Sequence, residues 1–197
     1  MRDIIMPTIV LFLICTVVTL ALALTNYATK DTIMEQVTVQ EESAKREVFS
    51  EAESFEEISD LEAVTDSNED MKCVKKAYTS IKNSKTIGRV YSVETIGYGG
   101  IISVAVGIDE KGRTTGAKIV SHSETPGLGS KAADEPFISQ FVDIIPKESL
   151  KVVKSGASKD EEIDAVSGAT ITSKAVVKAV QAALMVDSEL KKREGDS

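Results

Sequence analysis

Four hydroxyl groups, on Ser167, Thr170, Thr172 and Ser173, crowd the stretch DAVSGATITS that runs from Asp164 to Ser173, and Asp164 stands three residues before the first of them. From Ser173 to about Val186, residues Val176, Val177, Val180, Ala183 and Leu184 recur at helical spacing, while Lys174, Lys178 and Gln181 take the opposite face. The stretch therefore leads into an amphipathic helix, with Ser167 its expected N-cap. The first turn of a helix has unpaired N–H groups and the positive end of the dipole, and Gly168 and Ala169 let a ligand approach the backbone closely. Such an end suits a phosphate. The plainer alternative is a capped helix without a ligand.

A second stretch, SHSETPGLGSKAADEPF from Ser121 to Phe137, contains a shaped loop. Pro126 fixes one backbone angle, whereas Gly127 and Gly129 permit unusual ones, so Glu124 to Gly129 can turn backbone amides toward a ligand. His122 is the sole histidine, and no G-x-S-x-G is present. With so few Cys and His, a zinc site of the usual composition is also excluded.

The elements that must hold these two stretches follow from periodicity. From Gly88 the pattern alternates with period two through Ile96; Tyr98-Gly99-Gly100 breaks the chain, Ile101 to Ile108 forms a second strand, Asp109 to Gly112 a turn, and Thr114 to Ser121 a third strand. This is an antiparallel meander. Strands do not alternate with helices and Gly99-Gly100 leads into strand residues, so a dinucleotide-binding fold is excluded. Asp134 to Phe141 is expected as a short helix, Leu150 to Lys154 as a strand, Ser155 to Asp160 as a turn and Cys73 to Lys82 as a basic amphipathic segment opening the domain. The fold class is α+β: an antiparallel β-sheet flanked by helices, behind a single N-terminal transmembrane helix.

Ile4 to Leu24 is an uncharged run of 21 residues, long enough to cross a bilayer as a helix. Arg2 and the amino terminus precede it and Lys30 follows, a slight charge bias that favours a cytoplasmic N-terminus and an extracytoplasmic C-terminal domain. Ala21 and Ala23 would suit a cleaved signal peptide, but the apolar run exceeds the usual 7–15 residues or so. Cys15 lies in the span and Cys73 outside it, so no disulfide between them is expected. The formal charge of −8 arises in residues 41–70, which carry a net −10, so the remainder is +2 and nucleic acid is not an expected partner. The expected division is a membrane anchor over 1–30, an acidic juxtamembrane helix or linker over 31–71, the folded domain over 72–190 and a charged, frayed tail over 191–197.

The string Asp164 to Thr170 resembles the D-x-x-S-G-A-T flavinylation motif of the FMN-binding subunits of the Rnf and Nqr redox pumps, and Glu124 to Gly129 (ETPGLG) is similar to a loop of the same family. The resemblance covers the anchor and roughly residues 72–186. It implies FMN held by a phosphoester bond to Thr170, attached by a separate flavin transferase that uses FAD. It further implies cofactor contacts from Glu124, Thr125, Gly127, Leu128, Gly129, Asp164, Ser167, Gly168, Ala169 and Thr172, with no catalytic residue and no metal. The implied function is electron relay within a ferredoxin:NAD ion-translocating oxidoreductase of the cell's inner membrane, beside other membrane subunits and lipid. Chain length favours the G subunit of Rnf over the larger C subunit of Nqr; a free-standing membrane-anchored flavin reductase is a third possibility.

Overall fold

The computed structural model describes residues 2–159 and 161–195. Two units separate, residues 1–39 and residues 40–197. Most of helix α1 (Arg2–Val48) makes up the first unit. Within it, Ile5–Lys30 has a mean hydropathy of 2.6 and is long and apolar enough to cross a membrane. Its side chains are exposed all round the helix, from Leu11 and Phe12 to Leu22 and Leu24. Three hydroxyls in the span are satisfied locally: those of Thr16, Thr25 and Thr29 donate to the carbonyls of Phe12, Ala21 and Thr25 at 2.8, 2.9 and 2.9 Å. A helix in hydrocarbon requires such internal bonding, because no water competes for these groups.

In the second unit, β1 (Ser54–Glu57), β2 (Val74–Lys82), β3 (Lys85–Ile96), β4 (Ile101–Asp109) and β5 (Thr114–His122) form one antiparallel sheet in sequence order. The meander therefore has five strands, two more than the alternation showed. Strand β2 was hidden because a register shift between Val74 and Lys76 breaks its period, so Val74, Ala77 and Tyr78 are buried in place of a strict alternation.

Alternation elsewhere sorts side chains cleanly onto two faces. Tyr91, Val93, Val104 and Val106 face helix α4 (Thr170–Gly195), whose Val176, Ala179, Val180, Ala183 and Val186 are buried in the same core. Each fully buried valine there contributes about 1.5–3 kcal/mol. Val90 and Ala105 point the other way and meet Ala44, Val48, Phe49 and Ala52. Gly107 makes that contact possible, since a Cβ there would lie 2.8 Å from the Val48 carbonyl oxygen. The Thr115 hydroxyl donates to the same carbonyl.

Packing thus begins well before residue 72. Beyond the last turns of α1, Leu61 and Val64 of α2 (Leu61–Thr65) and Met71 enter the main core, so the acidic stretch is helix followed by packed structure. Its apolar residues are too irregularly spaced to announce this, and nearly all its carboxylates lie on the exposed side. The other end also differs from expectation. Residues 191–195 continue α4, tied by Lys191 Nζ to Asp187 Oδ2 at 2.7 Å and by Arg89 to Glu194 at 2.5 Å; Asp196 and Ser197 lie outside the described residues.

Between β5 and α4, the expected short helix appears as α3 (Glu135–Ile138) with a 3-10 turn, Ser139–Phe141. Strand β6 (Lys151–Val153) then pairs in parallel with β7 (Glu162–Asp164), a strand too short to show a period. The expected turn from Ser155 joins them, although Asp160 lies outside the described residues.

Candidate functional site

Helix α4 starts at Thr170, three residues before the apolar pattern becomes visible. Gly168 reverses the chain with φ of +77°, a conformation glycine adopts without strain. The Ala169 N–H then closes onto the Val166 carbonyl at 2.9 Å, and the Ser173 N–H onto Ala169 at 2.9 Å. Ser167 is exposed and precedes the helix by more than a capping residue can, so the expected N-cap role does not hold. Ser173 organises this end from inside the helix: its Oγ accepts from the Val166 N–H and donates to the Ala169 carbonyl, both at 3.0 Å. As first-turn residues, Thr170, Ile171 and Thr172 have amides without intrahelical partners. Thr170 is exposed there, while Thr172 is buried.

The ETPGLG loop faces this helix end. Leu128 N–H donates to the Thr125 carbonyl at 3.2 Å across Pro126 and Gly127, whose φ is +76°. Proline at the second position and a left-handed glycine at the third are what a type II turn requires. Gly129 serves a different need. A Cβ there would lie 2.4 Å from Glu124 Oε2, so the requirement is space for a carboxylate.

Glu124 is the joint of the site. Although only 6% exposed, its carboxylate accepts from the Gly99 N–H at 3.0 Å and from the Thr172 hydroxyl at 2.7 Å. Its own N–H donates to His122 Nδ1 at 3.2 Å. One side chain therefore binds together the β3–β4 hairpin tip, the glycine loop and the start of α4. A buried carboxylate needs such donors, because an unpaired one carries a large desolvation cost.

These elements enclose a cavity of about 450 Å³ lined by Tyr98, Glu124, Thr125, Leu128, Gly129 and the run Gly168 to Thr172. Eight of the cofactor-site residues expected from sequence meet there: Glu124, Thr125, Leu128, Gly129, Gly168, Ala169, Thr170 and Thr172. Gly127, Asp164 and Ser167 do not line it. Gly127 shapes the turn, with nothing within 4 Å of where a Cβ would stand; Ser167 is exposed, and Asp164 lines a separate cleft with Gln140, Ala157 and Glu162. Reasoning from sequence missed Tyr98 and Ile171, which are 74% and 54% exposed on the cavity's rim. Tyr98 did carry a signal, an aromatic residue set among turn glycines.

Residues 97–185 match the FMN-binding domain family. The chain is 38% identical over 194 residues to the G subunit of the Na(+)-translocating ferredoxin:NAD(+) oxidoreductase complex of Acetobacterium woodii, a match covering 93% of this chain and 91% of that one. It is 44% identical over 110 residues to the G subunit of the proton-translocating ferredoxin:NAD(+) oxidoreductase complex of Clostridium ljungdahlii, spanning 56% of this chain and 58% of the relative. In fold it is similar to the C subunit of the Na(+)-translocating NADH-quinone reductase from Parabacteroides distasonis, with TM-score 0.53, 18% identity, and coverage of 79% of this chain and 94% of that one. With the FMN-binding match falling on the cavity just described, the chain belongs to the G-subunit family of ion-translocating oxidoreductase complexes.

Proposed function

We propose that this chain relays electrons through FMN joined by a phosphoester bond to Thr170, as the membrane-anchored G subunit of an Rnf-type ferredoxin:NAD ion-translocating oxidoreductase. The observation that carries this is the exposed Thr170 side chain on the first turn of α4, opening on a cavity inside the matched FMN-binding region.

The residues present fit such a cofactor. Amides of the first turn of α4 suit the phosphate. Tyr98, Leu128 and Ile171 offer apolar surface for a flat ring system, and Thr125 and Glu124 offer polar contacts. A volume of about 450 Å³ lies within the usual range for small-ligand sites. When bound, FMN supplies one- and two-electron transfer, so the protein need only hold it, tune it and expose it.

What the chain's own residues do is limited and specific. Thr170 supplies an oxygen, and no His or Lys lines the cavity to activate it. Activation belongs to a separate flavin transferase using FAD. Glu124 is committed to Gly99 and Thr172, and so holds the cavity's three walls in register. A covalent tether gives the cofactor a very high effective concentration at its site. The anchor over residues 1–30 confines the domain beside the other membrane subunits and lipid, with the N-terminus cytoplasmic and the FMN-binding domain extracytoplasmic.

The 38% identity over nearly the whole chain favours this role over that of the Nqr C subunit, for which the likeness is one of fold. Intact mass of the protein produced with its transferase tests the proposal: one added FMN group is expected, and an unmodified mass contradicts it.

A further inference from the structure

We propose that Gln140 is the positioning residue of the Thr170 segment and acts through Asp164, the acidic residue of the DAVSGAT string. The inference rests on the proposed modification of Thr170.

Asp164 is turned away from the cavity that Thr170 opens on, and its side chain is used internally. Its Oδ1 accepts from the Ala157 N–H at 2.9 Å, closing the connection between β6 and β7. Its backbone is held by a single side chain. Gln140 Oε1 accepts from the Asp164 N–H at 2.7 Å, and Gln140 Nε2 donates to the Asp164 carbonyl at 3.2 Å. A planar amide that meets the N–H and C=O of one residue does what a neighbouring strand would do. Here β7 has β6 on one side, with Val153 paired to Asp164, and the Gln140 amide on the other.

From this fixed point the chain has six residues to reach Thr170. Two residues on from Asp164, the Val166 N–H donates to the Ser173 hydroxyl and ties the far end of the loop back to its start. Thr170 therefore stands on a loop clamped at both ends, one clamp being Gln140. The clamp is mounted firmly: Gln140 lies in the 3-10 turn with Phe141, which is fully buried and packs edge-on against Phe137 at 5.5 Å between ring centres. The acid of the string is thus a strut for the acceptor threonine rather than a ligand group, and leucine or glutamate at position 140 could not supply both halves of the amide pairing.

In the transfer concerned, the Thr170 oxygen bonds the FMN phosphorus of FAD and the pyrophosphate link breaks. AMP leaves with the electron pair, and the hydroxyl proton passes to the transferase. A misplaced acceptor slows this step without weakening the encounter between the proteins, since small displacements of a reacting atom cost on the order of tenfold to a hundredfold in rate.

The test uses the full-length chain in detergent, incubated with purified transferase and FAD, with label followed by intact mass at varied concentrations of the chain. Gln140→Leu should lower kcat for labelling by ~10-fold or more with KM little changed. Gln140→Glu, which keeps the acceptor and loses the donor, should fall between it and the native chain. Both deficits should persist well below each variant's melting temperature. Labelling of Gln140→Leu at the native kcat overturns the inference while leaving the covalent reading intact. So does a deficit that vanishes on cooling, or one equalled by Asp187→Ala, a destabilised control remote from the cavity. A native chain that takes no label overturns the covalent reading and this inference with it.

Discussion

The Thr172 hydroxyl donates to Glu124 Oε2 at 2.7 Å inside the protein, linking the first turn of α4 to the ETPGLG loop. Thr172 is 1% exposed and Glu124 is 6% exposed, so neither can exchange this bond for water. Replacing Thr172 by valine preserves shape and removes the donor. The carboxylate then lacks one of its two partners, a loss of about 1–3 kcal/mol. Urea unfolding should show the midpoint lowered with an unchanged slope; an unchanged midpoint would mean the bond contributes nothing.

Gly129→Val should strike the same joint from the other side. A Cβ there falls 2.4 Å from Glu124 Oε2 and 3.0 Å from Thr172 Oγ1. The variant is expected to express and insert in the membrane yet lose flavin absorbance and electron transfer. Native absorbance in a well-expressed Gly129→Val protein would count against the assignment of this loop.

At the opposite end of α4, Asp187 Oδ1 accepts from Arg89 at 3.2 Å and from the Tyr91 hydroxyl at 2.8 Å. Burial, and after it the Asp187 carboxylate, pushes the Tyr91 phenol far above its ordinary range, so it remains a donor at any physiological pH. Asp187→Ala leaves a buried guanidinium short of a partner and should cost about 3–5 kcal/mol. Its thermal unfolding should fall accordingly while Thr170 is still modified below the melting point; a variant as stable as the native chain would refute this role for Asp187.

Most of the fold was legible because its central strands alternate strictly. Gly88 to Ile96 and Ile101 to Ile108 send successive side chains to opposite faces, and both faces are covered, one by α4 and one by the end of α1. What escaped notice has local causes. The shift at Val74 and Lys76 spoils the period of β2, and β7 is only three residues long. The start of α4 is hidden because Thr170, Ile171 and Thr172 do not follow its apolar stripe. Hydroxyl density marked a stretch of which Gly168 to Thr172 line the cavity, but it could not tell Ser173, which builds the helix end, from Ser167, which is exposed. Gln140 left no trace at all, since its partner is a backbone 24 residues away.

The proposed orientation rests on the slight charge bias of Arg2 ahead of the apolar run and is tested by proteolysis. Protease added outside intact cells stripped of their outer layer should digest the chain beyond Lys30. Complete protection of that region would place the domain in the cytoplasm. A mature chain beginning at Leu24 would instead reveal a cleaved signal peptide.

The most direct test of the account is peptide mass spectrometry on the native protein and on Thr170→Ala and Thr170→Ser variants. FMN should be found on Thr170 itself. Thr170→Ala should lose it without a change in folding or membrane insertion, because this side chain is exposed. Thr170→Ser keeps the oxygen and should retain partial modification. FMN on Thr172 or Ser173, or on no residue of a natively produced chain, would contradict the account.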